Sequence, residues 1–138
     1  IPVYMNPNNL SSQKIIDQIN LEELFNDFNQ KIKSQELYLN DEFKLSWIST
    51  TLNIRSKYIS LAISENGYEN FSAYSNHFKI EKSKELIKSG YLNEFSIDAL
   101  SSASGFKAVN SFYRIFKKTT GQTPSKYAES ITKKQHKE

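Results

Sequence analysis

The stretch GFKAVNSFYRIFKKTTGQTPSKY, from Gly105 to Tyr127, decides how this chain folds. A Gly-Phe turn opens a basic amphipathic helix, Gly121 closes it, and Thr123-Pro124 starts another. Glycine enters the left-handed backbone that ends helices without the cost a Cβ adds, and proline suits the first helical position because its missing N–H would have no partner there. Phe112, Ile115 and Phe116 stand at i, i+3 and i+4, one face suited to a core, and leave Lys107, Asn110, Tyr113, Arg114 and Lys117 pointing elsewhere. The outward set is cationic, amide and phenolic, which is the chemistry that meets a polyanion and the edges of bases.

Upstream, the same order of elements occurs once before. After Tyr38 and Leu39, Asn40-Asp41 offers a turn, and a short helix with Leu45, Ile48 and Leu52 on one face runs to Asn53. A tight corner at Asn53-Ile54 leads to a second helix from about Ser56, with Ile59, Ala62 and Ile63 facing in and Lys57, Ser60, Leu61 and Ser64 left over. Short helix, tight corner and second helix are the parts of a helix-turn-helix. Glu65-Asn66-Gly67 ends it, and Phe71 to Lys88 reads as a longer helix of about 27 Å. Ser89-Gly90 closes that helix, and Ser96 caps a short one bearing Ile97, Leu100 and Ala103, which leads into Gly105-Phe106. The chain is therefore a repeat: Ile48 matches Leu100, Ser49 matches Ser101, Ile54 matches Phe106, Ile59 matches Phe112 and Ile63 matches Phe116. The offset is 52 before the corner, and 53 beyond it keeps the inward faces in phase.

Toward the amino end, residues 1–10 hold prolines and asparagines without apolar periodicity and read as linker. Ser11 or Ser12 can cap a helical segment over 11–36, in which Ile15, Ile16, Ile19, Leu24, Phe25, Phe28 and Ile32 recur at three- and four-residue steps, as one helix or two abutting ones. Its plainer use is to pack on the domain, and its other use is dimerisation. The start at Ile1 rather than a methionine marks the chain as a piece of something longer, with a sensor expected upstream.

Composition narrows the function classes. With 38% hydrophobic and 13% aromatic residues, a chain of this length builds a folded core. No apolar run approaches the roughly 20 residues of a membrane span, and no cysteine is present to hold a disulfide or a thiolate metal site, as expected of a cytoplasmic protein. The net charge of +3 is unevenly spread. Residues 1–42 carry three lysines and seven acids, residues 43–104 seven bases and six acids, and residues 105–138 eight bases and two acids, so the carboxyl end reads either as the part suited to a polyanion or as a solvated basic tail, with Lys133, Lys134 and Lys137 past the last apolar residue, Ile131. The two histidines, His77 and His136, share no ligand spacing with an acid pair, and the four glycines stand singly at helix ends. No catalytic residue, metal site, cofactor or small-molecule ligand is expected, and an enzyme is disfavoured.

The motif G-F-x-A-x-N-S-F-x-R-x-F-K-K-x-x-G-x-T-P-S-x-Y over 105–127 resembles the second helix-turn-helix of AraC/XylS-type transcription regulators. Residues 38–60, YLNDEFKLSWISTTLNIRSKYIS, resemble the first, and residues 70–87, NFSAYSNHFKIEKSKELI, resemble the connecting helix. The resemblance implies an all-α fold in which two helix-turn-helix subdomains, homeodomain-like, are joined by a long linker helix, with an extra helix at the amino end. The DNA-binding domain would cover 37–138, with the first helix-turn-helix at 37–70, the connecting helix at 71–90, and the second helix-turn-helix plus terminal helix at 91–132. The stretch from Ser11 onward is similar to the cytoplasmic end of a subgroup whose members follow membrane-spanning helices, which would make 1–10 the linker leaving the membrane.

With that resemblance, the expected partner is double-stranded DNA, entered by two recognition helices in successive major-groove segments roughly 34 Å apart. Base contacts fall to Lys57, Ser60 and Leu61 in the first unit, and to Val109, Asn110, Tyr113 and Arg114 in the second. Phosphate contacts fall to Arg55, Ser56, Lys107, Lys117 and Lys118. RNA polymerase is a further expected partner, since the family usually activates transcription, and a homodimer could form through residues outside this chain or in its amino-terminal helix. Serine at 49 and 101 replaces the usual alanine where the motif's helices cross, and its hydroxyl can return to a carbonyl one turn back. Lys79 replaces the usual arginine of the connecting helix, which weakens a bidentate pair there, and Leu61 stands where a polar residue is common. The competing reading is a helical adaptor that binds protein and no DNA.

Overall fold

A computed structural model describes residues 20–136, and every regular element among them is helical. In chain order these are α1 (Leu21–Ser34), a 3-10 turn (Leu37–Leu39), α2 (Leu45–Leu52), α3 (Ser56–Glu65), α4 (Phe71–Lys88), α5 (Tyr91–Glu94), α6 (Ile97–Ala103), α7 (Val109–Thr120) and α8 (Pro124–His136). The all-α expectation holds. The linker read over 1–10 and the first part of the helix read from Ser11 lie outside the described residues. The chain divides into two compact units between Ser75 and Asn76, within α4.

In the first unit, α1 lays its apolar face on α3. Leu21, Leu24, Phe25, Phe28 and Ile32 are buried on the one side, and Tyr58, Ile59, Ala62 and Ile63 on the other. Each leucine, isoleucine and phenylalanine among them contributes about 1.5–3 kcal/mol. Glu22 and Glu23 in the first turn of α1, and Lys31 and Lys33 in its last, oppose the helix dipole. Tyr58 was not among the inward residues read from the pattern, yet it is fully buried. The phenol disguises it, because the ring is as apolar as phenylalanine's and only the oxygen asks for a partner. Tyr74 of α4 is the hub of this core, with ring centroids 5.2 Å from Tyr68, 5.8 Å from Phe25, 6.0 Å from Phe71 and 6.1 Å from Phe28. Its hydroxyl donates to Asn29 Oδ1 at 2.8 Å. Asn70 caps α4, its Oδ1 accepting from the Ala73 N–H at 2.9 Å.

The second unit is built on Ile80, Ile87, Leu100, Phe106, Phe112 and Phe116, with Ile115, Tyr127, Ala128 and Ile131 packed at the margin. Phe112 meets Phe106 and Phe116 at 5.2 and 5.6 Å, and Phe116 meets Tyr127 edge to face at 5.4 Å. Ser83 is fully buried in α4 and donates to the Ile80 carbonyl at 2.7 Å, so its hydroxyl is satisfied within the helix. The single turn α5 follows Gly90, at φ +90°, and was not anticipated. Four residues are too few to show a helical period, and Tyr91 and Leu92 are drawn in by the core beside them. The restart at α8 is as read: Pro124 is its first residue, and Thr123 Oγ1 accepts from the Lys126 N–H at 3.2 Å.

The two corners have the same backbone solution. Asn53 (φ +56°) and Gly105 (φ +99°) both turn left-handed. The N–H that follows reaches back across the corner in each, Ile54 to the Ser49 carbonyl and Phe106 to the Ser101 carbonyl, both at 3.0 Å. This is the Schellman closure, and it drops Ile54 and Phe106 toward their cores. Ser49 departs from expectation. Its hydroxyl donates forward across the corner to the Ile54 carbonyl at 2.6 Å, rather than one turn back, because the turn brings that oxygen within reach and leaves it without a helical partner.

Candidate nucleic-acid interface

Both second helices begin in the same unguarded way. α3 follows Arg55 and α7 follows Ala108, each in extended backbone, with no side-chain cap and no acid in the first turn. Of the two first helices, α2 also starts without a cap or an acid, after Lys44, whereas α6 is capped, Ser96 Oγ accepting from the Ala99 N–H at 3.1 Å, and carries Asp98 in its first turn. Helix N-termini left uncapped keep free N–H groups and a positive dipole end, which favour an anion. A base stands before each start, Arg55 after Ile54 and Lys107 after Phe106, and both are exposed.

Burial of the inner faces settles what the outer faces present. On α7, Phe112 and Phe116 are fully buried, so Asn110, Tyr113, Arg114, Lys117 and Lys118 form one exposed stripe at i, i+3, i+4, i+7 and i+8. Tyr113 is 39% exposed although its ring lies 6.4 Å from Phe112, so it belongs to the surface rather than the core. On α3, Ile59, Ala62 and Ile63 are buried, while Lys57, Ser60 and Ser64 are exposed and Leu61 is half-buried. The repeat offset of 53 pairs these stripes member by member: Lys57 with Asn110, Ser60 with Tyr113, Leu61 with Arg114 and Ser64 with Lys117. At three of these four places the second helix carries a long polar or charged side chain, Tyr113, Arg114 and Lys117, where the first carries a short or apolar one; at the fourth the order reverses, Lys57 against Asn110.

Two expected base-contacting residues, Val109 and Leu61, are half-buried, as is Ser56 among the phosphate set. Their accessible portions are apolar for Val109 and Leu61, which suits a thymine methyl and no hydrogen bond. Lys107 precedes α7 rather than lying on it, at the corner with Phe106. An open cleft of about 510 Å³ beside Arg55 is lined by Ser49, Thr50, Asn53 and Ile54. Thr50 was not singled out from sequence, since a short polar side chain at a corner carries no pattern, and Asn53 was read as the corner and not as part of a surface cleft.

Among the described residues, no group of histidines and acids could hold a metal ion, and no helix is long and apolar enough to cross a membrane. His77 is exposed on α4, its ring 5.9 Å from Phe78.

Comparison with known proteins agrees with this geometry. The family described as "Helix-turn-helix domain" matches residues 48–130. An uncharacterized HTH-type transcriptional regulator of Escherichia coli K12, YijO, is 32% identical over 80 residues, which are 58% of this chain and 27% of that protein. The chain thus spans about a quarter of that relative's length. Among solved structures, the C-terminal domain of the two-component response regulator yesN from Fusobacterium nucleatum is 30% identical with a TM-score of 0.62, covering 75% of this chain and 96% of that one. A DNA-binding transcriptional dual regulator from Escherichia coli K-12 shares the fold at 18% identity and a TM-score of 0.60, covering 82% of this chain and 89% of that one. The uncapped helix pair, the repeated corner and these matches agree: the chain belongs to the AraC-type helix-turn-helix family and is the DNA-binding domain of a transcription regulator.

Proposed function

We propose that this domain reads a bipartite site in double-stranded DNA by placing α3 and α7 in neighbouring major-groove segments. The observation that carries the proposal is the pairing of the two outward stripes, at one offset, on helices that begin at the same kind of corner. In α7, Arg114 forks onto guanine O6 and N7, Asn110 pairs with adenine, Tyr113 lies against the base edges, and Val109 meets a thymine methyl. In α3, Lys57 and Ser60 supply polar contacts and Leu61 an apolar one. Arg55, Ser56, Lys107, Lys117 and Lys118 bind phosphates and set register without specifying sequence. The domain covers 37–138, with α1 as its amino-terminal buttress. Dimerisation through α1 would have to use the side facing away from α3.

The protein works in the cytoplasm, where the chromosome lies, and activates transcription by contacting RNA polymerase, as the resemblance to its family suggests. A parent anchored in the membrane is favoured by the likeness of the stretch from Ser11 to the membrane-linked subgroup. The domain is a binding module and not an enzyme.

Selection from random duplex followed by protection mapping tests the reading. Two protected major-groove segments about one helical turn apart are expected. Affinity that falls steeply with salt is expected as well. No salt-dependent affinity for any duplex would favour the protein-binding adaptor instead.

A further inference from the structure

We propose that Lys79 of α4 and Lys107 of the second corner form a pair that grips one backbone phosphate of the duplex, so that α4 contributes a DNA contact of its own. The inference rests on the DNA-binding reading above and adds to it a residue on a helix that does not enter the groove.

The Lys79 ammonium is held against an aromatic ring. It lies 5.6 Å from the centroid of the Phe106 ring, and Phe106 is fixed by its N–H bond to the Ser101 carbonyl and by its contact with Phe112. Lys107 is the next residue, exposed, two positions before the first residue of α7. Neither lysine forms an ion pair with a described acid. Half-burial, and then the nearby positive charge of Lys107, hold the Lys79 ammonium below the usual lysine range. The fold thus sets a partly desolvated ammonium, Lys79, on the face of the Phe106 ring, within the field of the exposed Lys107 that follows that ring in the chain.

A pair of like charges without a counterion is costly in the free protein, and an anion arriving from outside relieves both parts of that cost. A phosphodiester oxygen fits, because Lys107 leads into the uncapped start of α7 and the lysine head is a compact charge without a directional requirement. The lysine at 79 was expected to weaken a bidentate pair. A point charge beside a second point charge has another use, since a phosphate accepts both.

The test uses the whole 138-residue chain and the duplex selected above. Binding of wild type, Lys79→Gln, Lys79→Arg and Lys107→Gln is titrated from low to raised salt. Lys79→Gln should lower the slope of log affinity against log salt by about 0.9, the value of one phosphate contact, equally on specific and random duplex. Lys79→Arg should restore the slope, and adding Lys107→Gln to Lys79→Gln should cost less than the two changes made separately. A purely structural role for the cation over Phe106 predicts a lower melting temperature with the salt slope unchanged, and that result overturns the inference. Should Lys79→Gln fail to fold, the Nζ resonance of Lys79 in wild type decides: duplex binding should move its titration upward, and no movement refutes the contact. A wild-type chain with no affinity for any duplex would instead remove the DNA reading on which the pair depends.

Discussion

Arg114 and Tyr74 show how differently a polar side chain can be used in one small chain. Arg114 is exposed, on a helix whose opposite face is fixed by Phe112 and Phe116. If it forks onto a guanine, Arg114→Ala costs about 1–3 kcal/mol on the selected site and little on random duplex. Equal losses on both would move Arg114 to the phosphate set. Arg114→Lys should recover charge but not the two parallel bonds, so specificity stays reduced. Tyr74, fully buried, is held protonated well above the usual phenol range, first by burial and then by the neighbouring Tyr68. The folded state keeps its proton where the unfolded chain, with an ordinary phenol near 10, gives it up. Folding stability should therefore fall as the pH rises beyond about 10. Tyr74→Phe should cost about 1 kcal/mol near neutrality, from the lost bond to Asn29, and flatten the alkaline fall. Denaturant titrations at pH 7 and pH 11 check both, and an alkaline fall that persists in the variant would place its source elsewhere.

Among the elements, the corners matter most, because each orients the second helix of its motif against the helix before it. Asn53 and Gly105 have the same left-handed task, and asparagine performs it at modest cost whereas other Cβ-bearing residues strain. Gly105→Ala should destabilise by about 1–2 kcal/mol, while Asn53→Gly should change stability by less than about 0.5 kcal/mol. Thermal melts of the two variants compare them directly. Equal and small effects would mean that the corner backbone relaxes freely and does not hold α7. The helices themselves were largely legible in sequence: α3 starts at Ser56, α4 spans Phe71–Lys88, and α6 bears Ile97 behind the Ser96 cap. The 3-10 turn and α5 were not, since three- and four-residue pieces cannot display a period and form where a neighbouring core recruits them.

For the molecule as a whole, the proposed bipartite reading makes the spacing between half-sites the sensitive variable. Inserting five base pairs between the two protected segments turns one half-site to the far side of the duplex, about half a helical turn away. Affinity should then fall to that of a single half-site, and ten inserted base pairs should restore the facing without restoring the distance. Binding indifferent to both insertions would show that one helix does the reading alone. Of the two, α7 is the better equipped, since Asn110, Tyr113, Arg114 and Lys117 stand where α3 has Lys57, Ser60, Leu61 and Ser64.

The repeat, the helical class and the glycine and asparagine corners could be read from residue order alone, because each rests on local periodicity or on a backbone preference that acts within a few residues. The outward stripes were equally readable, for once Phe112 and Phe116 are assigned to a core the opposite face follows from the 3.6-residue turn. Tertiary packing alone decided that Tyr58 lies inside, that Tyr74 organises four rings, that the Ser49 hydroxyl bonds forward, and that Lys79 rests over Phe106 beside Lys107. Those outcomes depend on which surfaces meet across elements far apart in sequence, and no spacing along the chain encodes how much water each side chain loses when they do.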